Sequence, residues 1–271
     1  MLSVISVCIR VGRNSATRMR DLPHVFLWAW ERPEDLRMLT PDTGVAYLAA
    51  TFRIVGDRII TLPRMQPLTV PTDVPLISVF RIEVDEHKRT ELTDKCAQEL
   101  CKKICRFANL PRARATQIDF DALLDERSFY ATLLTYLRAS LPARHAISIT
   151  ALVSWCACDN WMKKLPVDES VPMFFSMGPE THNVLADVDM GRRFMDTRCD
   201  RSLGISLDEP AVNSIVVPHA LHHNLKEPIR VYVFSKRKWR PDSIHRAIQL
   251  SSGESVSSLR IQDNTAVPNR I

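Results

Sequence analysis

Apolar residues recur along the chain in short runs of strand length, separated by segments of helical period or by turn-rich loops. Residues 24–30 (HVFLWAW) read as a first strand ending at Glu31, and Pro33 then permits a helix start running to about Leu39. Residues 44–55 are β-rich, Gly56-Asp57 makes a turn, and residues 58–62 return as a hairpin partner. A loop punctuated by Pro63, Pro67, Pro71 and Pro75 leads to a third core strand at 76–82, closed by Glu83. Thr90 can cap a helix to about Ala108 that places Ala97, Leu100, Cys101, Ile104 and Ala108 on one face.

Residues 116–122 (TQIDFDA) read as the fourth strand, and a helix over 126–139 follows with a stripe of Tyr130, Leu133, Leu134 and Leu137. The fifth strand is 146–152, leading to Ser154-Trp155-Cys156 and a short helix around Trp161. The sixth is 171–175, with a helical turn or two between Pro179 and Met190. The seventh is 203–207, ending at Asp208-Glu209-Pro210. A long loop then carries the cluster His219, His222 and His223, before an eighth strand at 230–235 and a helix over 242–250.

Eight short apolar strands alternating with helix-compatible or loop segments predict an α/β protein, a (β/α)₈ TIM barrel. An open doubly wound sheet fits the same alternation. The expected organisation is a variable N-terminal segment at 1–22, one barrel domain at 23–250 and a Ser-rich, flexible tail at 251–271.

Composition narrows the function. Lys and Arg number 36 against 31 Asp and Glu, a net charge of +5, and the densest basic run (KRKWR, 236–240) reads as a solvated loop, so no nucleic-acid partner is expected. The seven glycines form neither GxGxxG nor GxxxxGK[ST], and no cofactor is expected. No apolar run reaches the ~18–20 residues of a membrane span. Residues 2–9 are apolar but are followed by Arg10, Arg13, Arg18 and Arg20, a poor export signal; a cytoplasmic location is the default, with export expected if the natural start lies upstream. Seven cysteines cannot all pair; Cys156-Ala-Cys158 has neither redox nor zinc spacing, and most cysteines read as small buried hydrophobes. The histidine cluster reads as surface loop, so no metal site is expected.

The candidate chemistry lies at the strand ends. Strand side chains alternate faces, so Gln117, Asp119 and Asp121 share one face, with the two acids roughly 6–7 Å apart by strand rise. Trp30 and Glu31, Arg81 and Glu83, Thr150, Ser154 and Trp155, Asp208 and Glu209, and Ser235 also fall just after strands. In a barrel these ends converge on one mouth. Acids and indoles together suit a carbohydrate, since ring faces stack on indoles and paired carboxyls divide acid and base roles. Asp121 is then the nucleophile or base with Asp119 beside it, and Glu31, Glu83 or Glu209 the general acid. Trp30, Arg81, Gln117, Trp155 and Asp208 are the expected ligand contacts. Competing readings are structural ion pairs for the acids, core packing for Trp28, Trp155 and Trp161, and a non-catalytic carbohydrate-binding or envelope-associated module on the same scaffold.

The blocks HVFLWAWERPEDL, GVAYLAATF, PLISVFRIE, QIDFDALLDERSFYATLLTYLR, SITALVSWC, LPVDESVPMFFSMG, SLGISLDEP and RVYVFSKRKW resemble an uncharacterised bacterial family, domain of unknown function 3142, over residues 23–239. The resemblance implies a TIM barrel related to glycoside hydrolases and no defined reaction. IDFD is also similar to the end of the DxxDxDxE motif of family-eighteen chitinases, through Asp119 and Asp121 alone. The position of that motif's catalytic Glu is Leu123 in this chain, so the resemblance does not bring the acid with it.

Overall fold

A computed structural model describes residues 18–88, 91–108, 112–192, 194–223 and 229–252. Among the described residues, eight parallel strands close into a barrel: β1 (Val25–Ala29), β3 (Thr43–Val55), β6 (Leu76–Val84), β7 (Ala113–Asp119), β8 (Ala146–Leu152), β9 (Glu169–Met173), β10 (Ser202–Ser206) and β11 (Arg230–Phe234). Closure comes from β1, which pairs with β3 on one side and β11 on the other. The remaining strands are β2 (Glu34–Asp35), β4 (Arg58–Pro63) and β5 (Leu68–Thr69). The helices are α1 (Asp94–Ala108), α2 (Arg127–Ser140), α3 (Val153–Cys158), α4 (Thr181–Asp189), α5 (Pro210–His223) and α6 (Pro241–Ser252). The TIM-barrel reading of the sequence therefore holds.

Strand alternation sorts the core into two shells. Phe26, Trp28, Ala46, Ile77, Val79, Val171 and Tyr232 fill the barrel interior. Leu27, Val45, Leu203, Ile205, Val231 and Val233 face outward beneath the helices. Gly204 faces inward where the indole of Trp28 crosses the barrel; a Cβ there would stand 3.2 Å from the ring and 3.1 Å from the Pro172 carbonyl.

The lower interior is polar and fully paired. Glu169 accepts from Arg230 at 2.6 Å, Tyr232 at 2.6 Å and Ser148 at 2.9 Å. Gln117 donates to Ser148 at 3.2 Å and accepts from Trp28 Nε1 at 2.8 Å, so an unbroken chain of contacts runs from the barrel floor to the indole. Arg230 also donates to the carbonyls of Met19, Leu22 and Pro23. Residues 18–22, read from sequence as part of a variable segment, thus seal the barrel base with Met19 and Leu22 buried.

One side of the barrel is taller than the rest. The pairing of β3 with β1 ends at Tyr47, whereas its pairing with β6 continues to Ile54. Above that point β4 takes the vacated edge of β3, pairing antiparallel from Ala50 to Val55. The hairpin expected around Gly56-Asp57 is this wall.

Several expectations need correction. Residues 33–39 form no helix: buried Glu34 accepts from Arg32 Nε at 2.8 Å and Trp239 N at 3.0 Å, which holds the segment extended against β5. The long loop after Pro210 contains α5 instead. Its sequence is apolar on all sides and interrupted by Pro218, so it lacks the one-sided stripe that announces a helix. His219, His222 and His223 sit on that helix rather than on a loop. Cys156 and Cys199 are joined by a disulfide, a pairing not anticipated where most cysteines read as small buried hydrophobes. Ser251 and Ser252 end α6; Thr90, residues 2–9 and the rest of the expected tail lie outside the described residues. No helix among the described residues is long and apolar enough to cross a membrane.

Candidate active site

The C-terminal ends of the strands surround a cavity of about 790 Å³. Its walls include Trp28 and Trp30 from β1 and the loop after it, Arg81 from β6, Thr150 and Leu152 from β8, and Phe175 and Phe234 at the ends of β9 and β11. A second lobe of about 480 Å³ lies against the tall wall, lined by Arg53, Glu83, Asp85, His87 and Leu123. Arg81, Asp119 and Asp121 line both lobes, so the two carboxyls stand where the lobes meet.

Asp119 is the last residue of β7, half-buried, and accepts a hydrogen bond from Thr150 Oγ1 at 2.8 Å. Burial and the neighbouring Asp121 charge raise its pKa to about 6, against the opposing pull of Thr150 and Arg81. Asp121 lies two residues beyond, in the loop, and is open to the solvent of the mouth. Its pKa is also raised by the surrounding protein, and Arg81 opposes the rise. The environment therefore favours protonation most strongly at Asp119.

Aromatic rings form the opposite side. Phe175 stacks on Phe234 at 5.4 Å, Phe234 meets Trp30 edge-on at 6.2 Å, and Trp28 meets Phe175 edge-on at 5.9 Å. The Arg81 guanidinium lies 5.6 Å from the centre of the Trp30 ring, linking the aromatic side to the acids. Ser176 follows Phe175 with a positive φ of 54°, and its N–H is held by Glu209 Oε1 at 3.0 Å.

The residues singled out from sequence divide clearly. Asp119, Asp121, Glu83, Trp30 and Arg81 line the mouth. Glu83 is held between Arg53 at 3.0 Å and Arg81 at 3.1 Å, so both its oxygens are engaged. Glu31 is exposed and accepts from the Met65 and Gln66 N–H groups at 3.1 and 3.2 Å. Glu209 holds Ser176, and Asp208 accepts from Lys236 N at 2.7 Å; neither lines the cavity. Gln117 is buried beneath Trp28, and Trp155 is buried outside the barrel, edge-on to Trp161 at 5.1 Å. These five residues support the mouth or the core instead of lining the cavity.

Leu123 lines the smaller lobe with no carboxyl to offer, and the nearby Glu126 is buried with Oε2 accepting from Leu123 N at 2.8 Å. Phe175, Phe234, Met173 and Lys236 also line the larger lobe. The run Phe174-Phe175 carried a signal for this: adjacent strand residues face opposite ways, so one of the two rings had to leave the outer core. Among the described residues, no group of three or more His, Cys, Asp or Glu is placed to hold a metal ion.

No family model matches the chain, and no curated protein matches it. Among solved structures, it is similar to the chitinase domain of the spore coat protein CotE from Clostridium difficile, at TM-score 0.40 and 10% identity over 86% of this chain and 68% of that one. It is also similar to the spore cortex-lytic enzyme SleL from Bacillus cereus, at TM-score 0.36 and 12% identity over 77% of this chain and 50% of that one. Likenesses this distant carry no argument about activity.

Proposed function

We propose that the protein is a glycoside hydrolase-like barrel that acts on a polysaccharide or glycoconjugate at the junction of the two lobes. The observation that carries this reading is Asp119, a carboxyl whose pKa of about 6 lets it hold a proton close to neutrality beside a second carboxyl, facing an aromatic wall. Asp119 is assigned as general acid, donating to the glycosidic oxygen as the bond breaks. Asp121 is assigned as the base or nucleophile on the other side of the sugar. Trp30, Phe175 and Phe234 supply ring faces for sugar stacking, and Arg81 offsets the negative charge that Asp119 gains as it gives up its proton.

The test is a glycan-array binding experiment run beside an untargeted hydrolysis screen on wild type, Asp119→Asn and Asp121→Asn. Hydrolysis lost in both variants while binding persists supports the assignment. Binding without turnover in all three proteins replaces it with a non-catalytic carbohydrate-binding barrel. Hydrolysis unchanged in both variants removes the two carboxyls from the mechanism.

A further inference from the structure

Helix α1 carries three thiols that the barrel mouth does not use: Cys96, Cys101 and Cys105. Cys101 is buried on the apolar stripe, and Cys105, one turn later, is half-buried. Their sulfurs stand 4.0 Å apart, and Cys101 Sγ also hydrogen-bonds Ser140 Oγ at 3.6 Å, at the end of α2. Contact with Cys105, helped by Ser140 and Lys102 and opposed by burial, brings the Cys101 thiol down to about 7. The same contact pushes Cys105 up, so of the two facing sulfurs Cys101 is the first to lose its proton.

Geometry decides what can join them. Cβ atoms at i and i+4 of a helix are ~5–6 Å apart, whereas a disulfide requires ~3.5–4.5 Å. Oxidation therefore cannot close the pair without unwinding the helix. One soft atom can bridge it, because sulfurs bonded ~2.3 Å from a common centre stand roughly 3.5–3.8 Å apart, close to the 4.0 Å observed. No third His, Cys, Asp or Glu completes a metal shell among the described residues, so the pair suits a centre that needs only two thiolates.

We propose that Cys101 and Cys105 form a dithiol clamp for a trivalent, thiophilic metalloid of the mono-organoarsenical class, separate from the barrel mouth. The Cys101 thiolate attacks arsenic and Cys105 closes the ring. Two As–S bonds form, the arsenic-bound oxygen leaves as water with both thiol protons, and arsenic stays trivalent, so no oxidant is consumed. Among the described residues Cys96 has no facing thiol at this distance, and it serves as the single-thiol control.

The test titrates the full, unreduced chain with phenylarsine oxide, read by intact mass and by loss of free thiols. Wild type and Cys96→Ser are expected to take up one equivalent and lose two thiols, reversibly with ethanedithiol. Cys105→Ser and Cys101→Ser are expected to bind ~10²–10⁴-fold more weakly, the loss of a chelate. Uptake retained by Cys105→Ser, or absent from folded wild type, overturns the proposal. If Cys101→Ser fails to fold, Cys105→Ser and Cys105→Ala decide it, because Cys105 is only half-buried.

Discussion

The hydroxyl of Thr150 donates to Asp119 Oδ1 at 2.8 Å, joining the ends of two neighbouring strands at the rim of the mouth. That bond favours the ionised carboxylate, while burial and Asp121 favour the protonated one and prevail. Thr150→Val removes the restraining contribution and raises the Asp119 pKa above its present value of about 6. If Asp119 is the general acid, the alkaline limb of the pH–rate profile moves to higher pH in Thr150→Val. A limb that stays in place, or moves to lower pH, removes Asp119 from that role.

The same shift bears on stability. The folded protein holds a proton on Asp119 that the unfolded chain releases near 3.8, so stability falls as pH rises from 3.8 to about 6 and stays lower above that. Asp119→Asn keeps a neutral group in place and is expected to stabilise the fold by about 1–3 kcal/mol at pH 7, with little effect at pH 3. Denaturant melts at the two pH values check the sign.

Glu31 and Glu209 serve here as acceptors for backbone N–H groups rather than as acids. Glu31→Gln and Glu209→Gln retain an acceptor oxygen and are expected to leave turnover within about threefold of wild type, a small loss of transition-state stabilisation. A hundredfold loss in either, with folding intact, would return that residue to the list of candidate acids.

Glu169 anchors the buried network through Arg230, Tyr232 and Ser148. Glu169→Ala leaves the 7% exposed Arg230 without its counter-charge and is expected to cost about 3–5 kcal/mol. Loss of the network also frees the Gln117 contact beneath Trp28, so near-ultraviolet dichroism of the indoles should weaken in parallel.

The disulfide between Cys156 and Cys199 closes a loop of sequence separation 43 that includes α4 and the mouth residues Met173, Phe175 and Val184. Replacing both cysteines with serine is expected to cost about 4 kcal/mol on the loop-entropy scale. A melting temperature unchanged by the double replacement would show that the pair contributes nothing in solution.

The barrel was legible in the sequence because each strand is buried on both faces and reads as a short apolar run, and most helices keep a one-sided stripe. Asp119 and Asp121 were legible for a related reason: two carboxyls at the end of such a run are conspicuous. Helix α5 was not legible, because apolar residues fall on its exposed side (Ala211, Ile215, Pro218) as well as its buried one (Val212, Val216, Val217), which leaves no one-sided stripe, and Pro218 imitates a break. The extended segment at Glu34 was hidden too, since its partners, Arg32 aside, come from Trp239 and β5.

By itself, the sequence determined which residues lie at strand ends, since local apolar patterning sets the strands and their alternation. Tertiary structure alone decided which of those ends share a cavity. Ring closure brought Phe175 and Phe234 against Trp30, turned Gln117 into a support beneath Trp28, and bound Glu31 and Glu209 to neighbouring loops. Those partners lie tens to hundreds of residues away, and the register of a closed sheet, which no local pattern carries, is what sets them side by side.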